Sequence, residues 1–274
     1  MPLPKDLDIA IDSAWVKARD IPGYIGDREF RALAMLFAGA PGTGATVEIG
    51  SFKGKSTVGL ASLAAHYGLG PIVSIDPHNA PCVTDPILGD QQSSFDDFQL
   101  ALRNAGVEQQ VEVHRATSQE VSALWSRPIR FLWIDGDHTY AGAKLDFELF
   151  TPYLADGAIV ALHDTLHEFE GPIRVFVEQM LRSDQFGPAG LLHTIGWAQY
   201  CPRDGVKFRK QRERLARRAA TLIPLVAGGR SVTGFAKMRW KLHCAFIPHS
   251  VLPPADWERT LAAEAGATQR QSQL

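Results

Sequence analysis

The chain has little cysteine, no long apolar run and almost no net charge, and each shortage closes off a class of protein. Only three of its 274 residues are cysteines (Cys82, Cys201, Cys244). They are scattered, odd in number and form no CxxC pair, which excludes a disulfide framework and points to reduced thiols in a cytoplasmic chain. No stretch approaches the roughly 20 apolar residues that a membrane-spanning helix needs. The opening segment MPLPKDLDIAIDSAW carries acids where a signal peptide requires uninterrupted apolar residues. No internal repeat is visible. What is there, 45% hydrophobic and 21% charged residues, has the proportions of a soluble globular protein rather than a disordered or collagenous one. The length accommodates one large domain, or one domain plus an appendage.

The net charge of −2 conceals an asymmetry. From Arg203 to Lys241 twelve Lys and Arg face two acids (Asp204, Glu213), a local balance of +10, so the remainder carries −12. An acidic body with one basic segment does not read as a nucleic-acid-binding protein. Within the basic segment, 207–227 begins as a basic helix, turns apolar and meets Pro224. That pattern suits a solvated helix over a sheet edge, a peripheral membrane contact, an acidic partner or a dimer arm, the last giving a homo-oligomer.

Short β-rich runs alternate with helical patterns, the signature of βαβ units. Strands are expected at 45–50, 71–77, 111–116, 130–135 and 157–164, with helices at 55–68, 96–104, 118–125, 140–154 and 172–182. LLHTIG and WAQYCP (191–202) form a closing antiparallel pair. The fold class is therefore α/β, a doubly wound Rossmann-like sheet, mostly parallel, with an antiparallel closing hairpin. The domain spans 1–202, with its core from about residue 20, and 203–274 is a basic carboxy-terminal extension. In such sheets ligands lie beyond the carboxyl ends of the strands, and polar residues gather there: Glu48 and Gly50, Asp76, Asp135, and His163-Asp164.

The loop Gly50-Ser-Phe-Lys-Gly54-Lys55-Ser56 invites a phosphate-loop reading, with Asp135 as a magnesium aspartate. Three residues separate its glycines where a phosphate loop has four, and a GxGxxG fingerprint fails at Phe52. The glycines can let the backbone approach a nucleoside while Asp76 takes both ribose hydroxyls, or they simply make a tight turn that Asp76 caps. VEIGSFKGKST followed by an acid after strand two resembles the class I S-adenosylmethionine-dependent methyltransferases. The resemblance implies that Glu48, Gly50, Ser51 and Gly54 line the cofactor, that Asp76 holds its ribose, and that Ala116, Thr117 and Ser118 face its adenine.

A second constellation sharpens this. Asp135-Gly-Asp137-His138 follows strand four, and His163-Asp164 ends strand five, its neighbour. Oxygen-rich ligands of this kind suit Mg2+ or Mn2+. IDGDHTY and DFELFTPYLADGAIVALHD resemble the metal-dependent O-methyltransferases, including the branch acting on sugars. That resemblance implies Asp135, His163 and Asp164 as metal ligands, Asp135 also bordering the cofactor, and His138 as general base. His163 departs from the family, standing where an acid is usual, so a ligand or a supporting group remain open for it. His138 alternatively caps the following helix, and Asp137 faces solvent. His78, His114 and His167 read as surface or satisfied core residues.

The activity implied is methyl transfer from S-adenosylmethionine to a hydroxyl of a small-molecule or saccharide acceptor. A phosphate-loop hydrolase or kinase, or a non-catalytic binding module on the same fold, are the alternatives. The long loop His78–Gln92 is expected to be a substrate lid, and 21–26 resembles the family's segment across the cofactor. GATQRQSQL at the end is expected to fray.

Overall fold

In the computed structural model, which describes residues 3–40, 43–79, 92–228 and 232–247, seven strands form one sheet. They are β1 (Ala45–Ile49), β2 (Ile72–Ile75), β3 (Val111–His114), β4 (Ile129–Ile134), β5 (Leu154–Leu162), β6 (Phe186–Leu192) and β7 (Ile195–Tyr200). The order is β3-β2-β1-β4-β5-β7-β6. The first five strands are parallel; β7 pairs antiparallel with β5, and β6 with β7.

One face is covered by α1 (Leu7–Ala18), α2 (Asp27–Gly39), α3 (Lys55–Tyr67) and α4 (Phe95–Ala105). The other carries α5 (Ser118–Ser122), α6 (Tyr140–Phe150), α7 (Glu170–Val175, continued by a π-helical turn Phe176–Leu181), α8 (Arg209–Ala219), α9 (Ile223–Val226) and α10 (Gly234–Phe246). The helix after β1 and the helix after β4 thus lie on opposite faces, and the crevice between these two neighbouring strands is the switch point where such sheets bind ligands.

β4 shows why the centre forms. All six residues of IRFLWI are buried, as a strand covered on both faces requires. Its one charge has a purpose. Arg130 donates from Nη2 to the carbonyls of Phe37 and Ala40 at 3.0 and 2.9 Å, capping the end of α2, and lies over the Phe37 ring. The cation is favourable there because the last carbonyls of a helix are unpaired and partly negative.

Two features depart from the sequence pattern. α1 and α2 precede β1, where the pattern gave no helix; α1 buries three alanines (Ala10, Ala14 and Ala18) beside Leu7 and Ile11, and α2 buries Phe30, Leu33, Met35, Leu36 and Phe37. The hairpin, expected within 191–202, turns instead at His193-Thr194, and its first strand begins at Phe186. Pro188 and two glycines disguise that strand. They are tolerated because β6 is the edge of the sheet, where a proline need not donate to a neighbour. The left-handed φ of +54° at His193 suits a two-residue hairpin turn.

The basic segment is tied into this body. Arg212 of α8 is fully buried, and its guanidinium donates to the carbonyls of Leu181, Phe186, Gly187 and Gly205. Leu215, Ala216 and Ala219 of α8 and Trp240 of α10 belong to the core on that face. Among the described residues no helix is long and apolar enough to cross a membrane. Most of the expected lid (residues 80–91), Cys82 and the terminal GATQRQSQL lie outside the described residues.

Candidate active site

Gly50 decides the shape of the crevice. It leaves β1 with φ +86°, and a Cβ there would stand 2.8 Å from Gly136 Cα and closer still to the Asp135 carbonyl oxygen. Only glycine lets the ends of β1 and β4 approach this closely. Beyond them opens a cavity of about 620 Å³. Its wall includes Gly50, Ser51, Asp76, Thr117, Ser118, Asp135, His138, His163 and Asp164, so nine of the sequence-predicted residues meet in one place. Pro22 to Ile25 close one side, with Tyr24 stacked on Phe52.

The loop after β1 spends its amides internally. Ser51 and Phe52 donate to Asp76 Oδ2 at 2.8 Å each, His78 donates to Oδ1 at 2.6 Å, and Gly54 donates to the Ser51 carbonyl at 2.8 Å. Lys55 holds its ammonium over the Trp15 ring. A phosphate cradle needs free amides and a lysine aimed into the loop; here the Ser51, Phe52 and Gly54 amides are spent and Lys55 turns to Trp15, and the phosphate-loop reading is not favoured. Among the described residues, three of the four non-glycine residues with positive φ, namely Phe52, His78 and Asp164, line this cavity. Backbone held in this region is characteristic of functional sites.

Glu48 and Gly54, expected on the cofactor, do not line the cavity. Gly54 has φ +90° and supplies the left-handed turn before α3, packed on Phe98. Glu48 is fully buried beneath the floor, where Oε2 accepts from Thr57 Oγ1 at 2.5 Å and Oε1 has no hydrogen-bond partner. Burial pushes its carboxyl up to about 7. An acid raised in the fold is unaffected below its ordinary range and costs stability as pH climbs through it. Glu48→Gln is therefore expected to match the wild type in urea unfolding near pH 4.5 and to exceed it by about 2–3 kcal/mol above pH 8. Equal stability at both pH values would show that Glu48 is not held against its charge.

At the ends of β4 and β5 the charges interlock. His163 is buried, its Nδ1 3.0 Å from Asp135 Oδ1 and 3.5 Å from Asp164 Oδ1, and its Nε2 3.9 Å from Glu29 Oε1. Burial opposes its charge, but Asp135 and Asp164 outweigh burial and raise the imidazole well above its ordinary value. Asp135 answers in the opposite sense: burial raises it, while the two imidazoles hold it at about 2. Glu29 is likewise raised by burial and brought to about 2 by His163, with Thr194 and the Gly26 amide donating to it. These acids contribute stability above their unfolded pKa that is lost as pH falls toward 2; His163 contributes below its unfolded pKa and loses it only above its raised one. The Glu29–His163–Asp135 chain therefore persists through neutral pH. Glu29 was not foreseen in the sequence. Its only signal is the Gly26-Asp-Arg-Glu29 spacing of a helix start.

His138 lies across the cavity, stacked on Phe169 with ring centroids 4.5 Å apart. Its Nε2 is 3.3 Å from Asp164 Oδ2 and 3.6 Å from Asp135 Oδ1. Burial lowers it, but the two carboxylates prevail and raise it above its ordinary value. It has no capping duty, because Thr139 caps α6 by accepting from the Gly142 amide. Asp137 does more than face solvent, since it accepts from the amide and hydroxyl of Thr139. Donor atoms of Asp135, His138 and Asp164 all lie within 4.8 Å of one another, and His138 Nε2 and Asp164 Oδ1 are buried without a hydrogen-bond partner. His163 stands behind this trio.

The remaining wall is quieter. Thr117 starts α5 with a capping box to Glu120, and Ser118 Oγ donates to Asp146 Oδ1 at 2.5 Å. Burial raises the Asp146 carboxyl to about 6. His78 is a buried residue whose Nδ1 is bonded to Ser94 while Nε2 has no hydrogen-bond partner; its ring packs on Phe95 and Phe98, and burial lowers it. His114 pairs with Glu112 on the surface of β3, and exposed His167 faces Asp164.

Residues 47–165, from β1 to just past Asp164, match a family model described as a methyltransferase domain. The fold is similar to that of cofactor-bound Rv0187 from MTB, at 17% identity over 74% of this chain and 100% of that one, with a TM-score of 0.51. It is similar also to the O-methyltransferase NovP, at 13% identity over 71% and 98% of the respective chains, TM-score 0.51. Both likenesses are of fold. The matched residues thus contain every strand end that builds the cavity, while Glu29 and the Pro22–Ile25 wall come from outside them.

Proposed function

We propose that the chain transfers the methyl group of S-adenosylmethionine to a hydroxyl of a sugar or glycosylated metabolite, with Mg2+ or Mn2+ held at Asp135 and Asp164. The observation that carries this is the convergence of Asp135, His138 and Asp164 on one buried point within the cavity, at strand ends that match the methyltransferase family model.

The residues fit both groups. Gly50 and Ser51 leave the backbone open to the methionine part, and Thr117 and Ser118 border the adenine. Asp76 already accepts three amides; of about four lone-pair positions on a carboxylate one remains, so it meets one ribose hydroxyl rather than both. Glu48 and Gly54 act from behind, shaping the floor. For the cation, the Asp135 and Asp164 carboxylates supply the donor set, beside a His138 ring whose nitrogens have no hydrogen-bond partner. A divalent cation bound there would lower the pKa of an acceptor hydroxyl.

The chain's own residues do the rest. Phe169 fixes the plane of the His138 ring, and Nε2 is turned toward the carboxylates, where an acceptor proton would be received. His163, held from behind by Glu29, orients Asp135. The sugar acceptor is supported by the resemblance of IDGDHTY to the sugar-modifying branch.

Calorimetric titration with S-adenosylhomocysteine and, separately, ATP, each with magnesium and with chelator, tests the reading. Binding of S-adenosylhomocysteine without ATP binding is expected, followed by turnover on hydroxylated sugars that chelator suppresses. ATP binding alone would reject it.

A further inference from the structure

α10 has two apolar faces, and among the described residues only one is packed. Trp240 turns inward, with Ala236 and Cys244 packed on the same core. On the opposite side Phe235, Met238, Leu242 and Phe246 are 70%, 59%, 57% and 66% exposed. At 100° per residue these four fall on a single stripe. Exposed apolar residues are ordinary when scattered, but four large ones in line make a patch.

The surroundings are of one sign. Arg239 and Lys241 flank the stripe on either side, and between Lys207 and Phe246 the only acid is Glu213. Arg209 and Lys237 are paired with acids of the body, and Lys207 with Asp204. Lys210, Arg214, Arg217, Arg239 and Lys241 are exposed and make no ion pair among the described residues. Two copies meeting through this face would bring like charges together, which disfavours a dimer here.

We propose that the outer face of α10 seats the protein on an anionic lipid surface. The stripe enters the boundary between headgroups and acyl chains, and the flanking cations meet the headgroup phosphates. A thirteen-residue helix lying flat presents about 20 Å of such contact. Apolar insertion and a basic patch together are the two signals that reversible anchoring requires. The attachment also has a direction. Lys237 Nζ is 3.1 Å from Glu168 Oε1, the Gly228 amide donates to Glu170 Oε2 at 2.7 Å, and Phe169 between them stacks on His138. Lys237 thus ties the lipid-facing helix to the segment that forms the His138 side of the cavity, whichever acceptor is used there.

The test is co-sedimentation of the full chain with phosphatidylcholine vesicles, with and without about one-third phosphatidylglycerol, at roughly 0.1 M and 0.5 M salt. Binding to the anionic vesicles at low salt is expected, falling about tenfold at high salt and by a similar factor on neutral vesicles. Phe235→Ser with Leu242→Ser, and separately Arg239→Gln with Lys241→Gln, should each weaken binding at least tenfold, with unchanged circular dichroism and S-adenosylhomocysteine affinity. Absence of binding to anionic vesicles would overturn the proposal, as would undiminished binding by the Phe235/Leu242 variant. So would a concentration-dependent dimer that the same substitutions abolish.

Discussion

His138→Ala is expected to lower turnover by roughly 10²–10⁴-fold, the usual worth of a positioned general base, while S-adenosylhomocysteine binding changes little. The ring touches Phe169 and the two carboxylates, all at the acceptor side, and makes no bond that holds a strand end. In the wild type kcat/KM should rise with pH as His138 loses its proton, because a base must be neutral to accept one. Asp164→Asn should also lose most activity and keep cofactor binding, but its residual rate should no longer respond to chelator. Full-speed turnover by a folded His138→Ala protein would end the base assignment; full chelator-sensitive turnover by Asp164→Asn would end the metal assignment.

Gly50→Ala should be as severe by another route. The left-handed conformation costs about 1–2 kcal/mol for a residue with a side chain, and here the added methyl also collides with the Asp135 carbonyl and Gly136 Cα. Because both clashing atoms are backbone, relief requires β1 and β4 to part at the switch point. A stability loss of about 3–5 kcal/mol and loss of measurable S-adenosylhomocysteine binding are expected. Gly68→Ala is the control. Its φ of +62° imposes the strain, but nothing lies within 4 Å of the added methyl. It should lose about 1–2 kcal/mol and keep cofactor affinity. Similar behaviour of the two variants would show that the close approach at Gly50 is unimportant.

The contrast between these glycines shows where sequence reading succeeds. β4 is legible because a central parallel strand must be apolar on both faces, and IRFLWI is nearly so. Asp76, Asp135 and Asp164 are legible because an acid just past such a strand can only stand on the carboxyl rim. Glu48 looks identical in that logic, yet one position earlier along β1 its side chain turns below the floor toward Thr57. Alternation along the strand decides this, and a one-residue uncertainty in the strand's end conceals it. Glu29 was invisible because its partners, His163 and Thr194, lie more than a hundred residues away. β6 was hidden by Pro188, which is readable as an edge residue only once the strand order is known.

Arg212 has a practical consequence. The composition shift at residue 203 invites an expression boundary there, but a chain ending at 202 would strand the carbonyls of Leu181, Phe186 and Gly187 without their donor and uncover the apolar side that α8 protects. Each buried carbonyl left unpaired costs about 1–3 kcal/mol, which is comparable in sum to the whole stability of an ordinary domain. Such a fragment is expected to collect in the insoluble fraction, whereas one ending after Ile247 should purify as a folded monomeric unit or assembly. The basic segment is in this sense a staple driven through the last strands, and genetic fusions or domain transplants should carry it along.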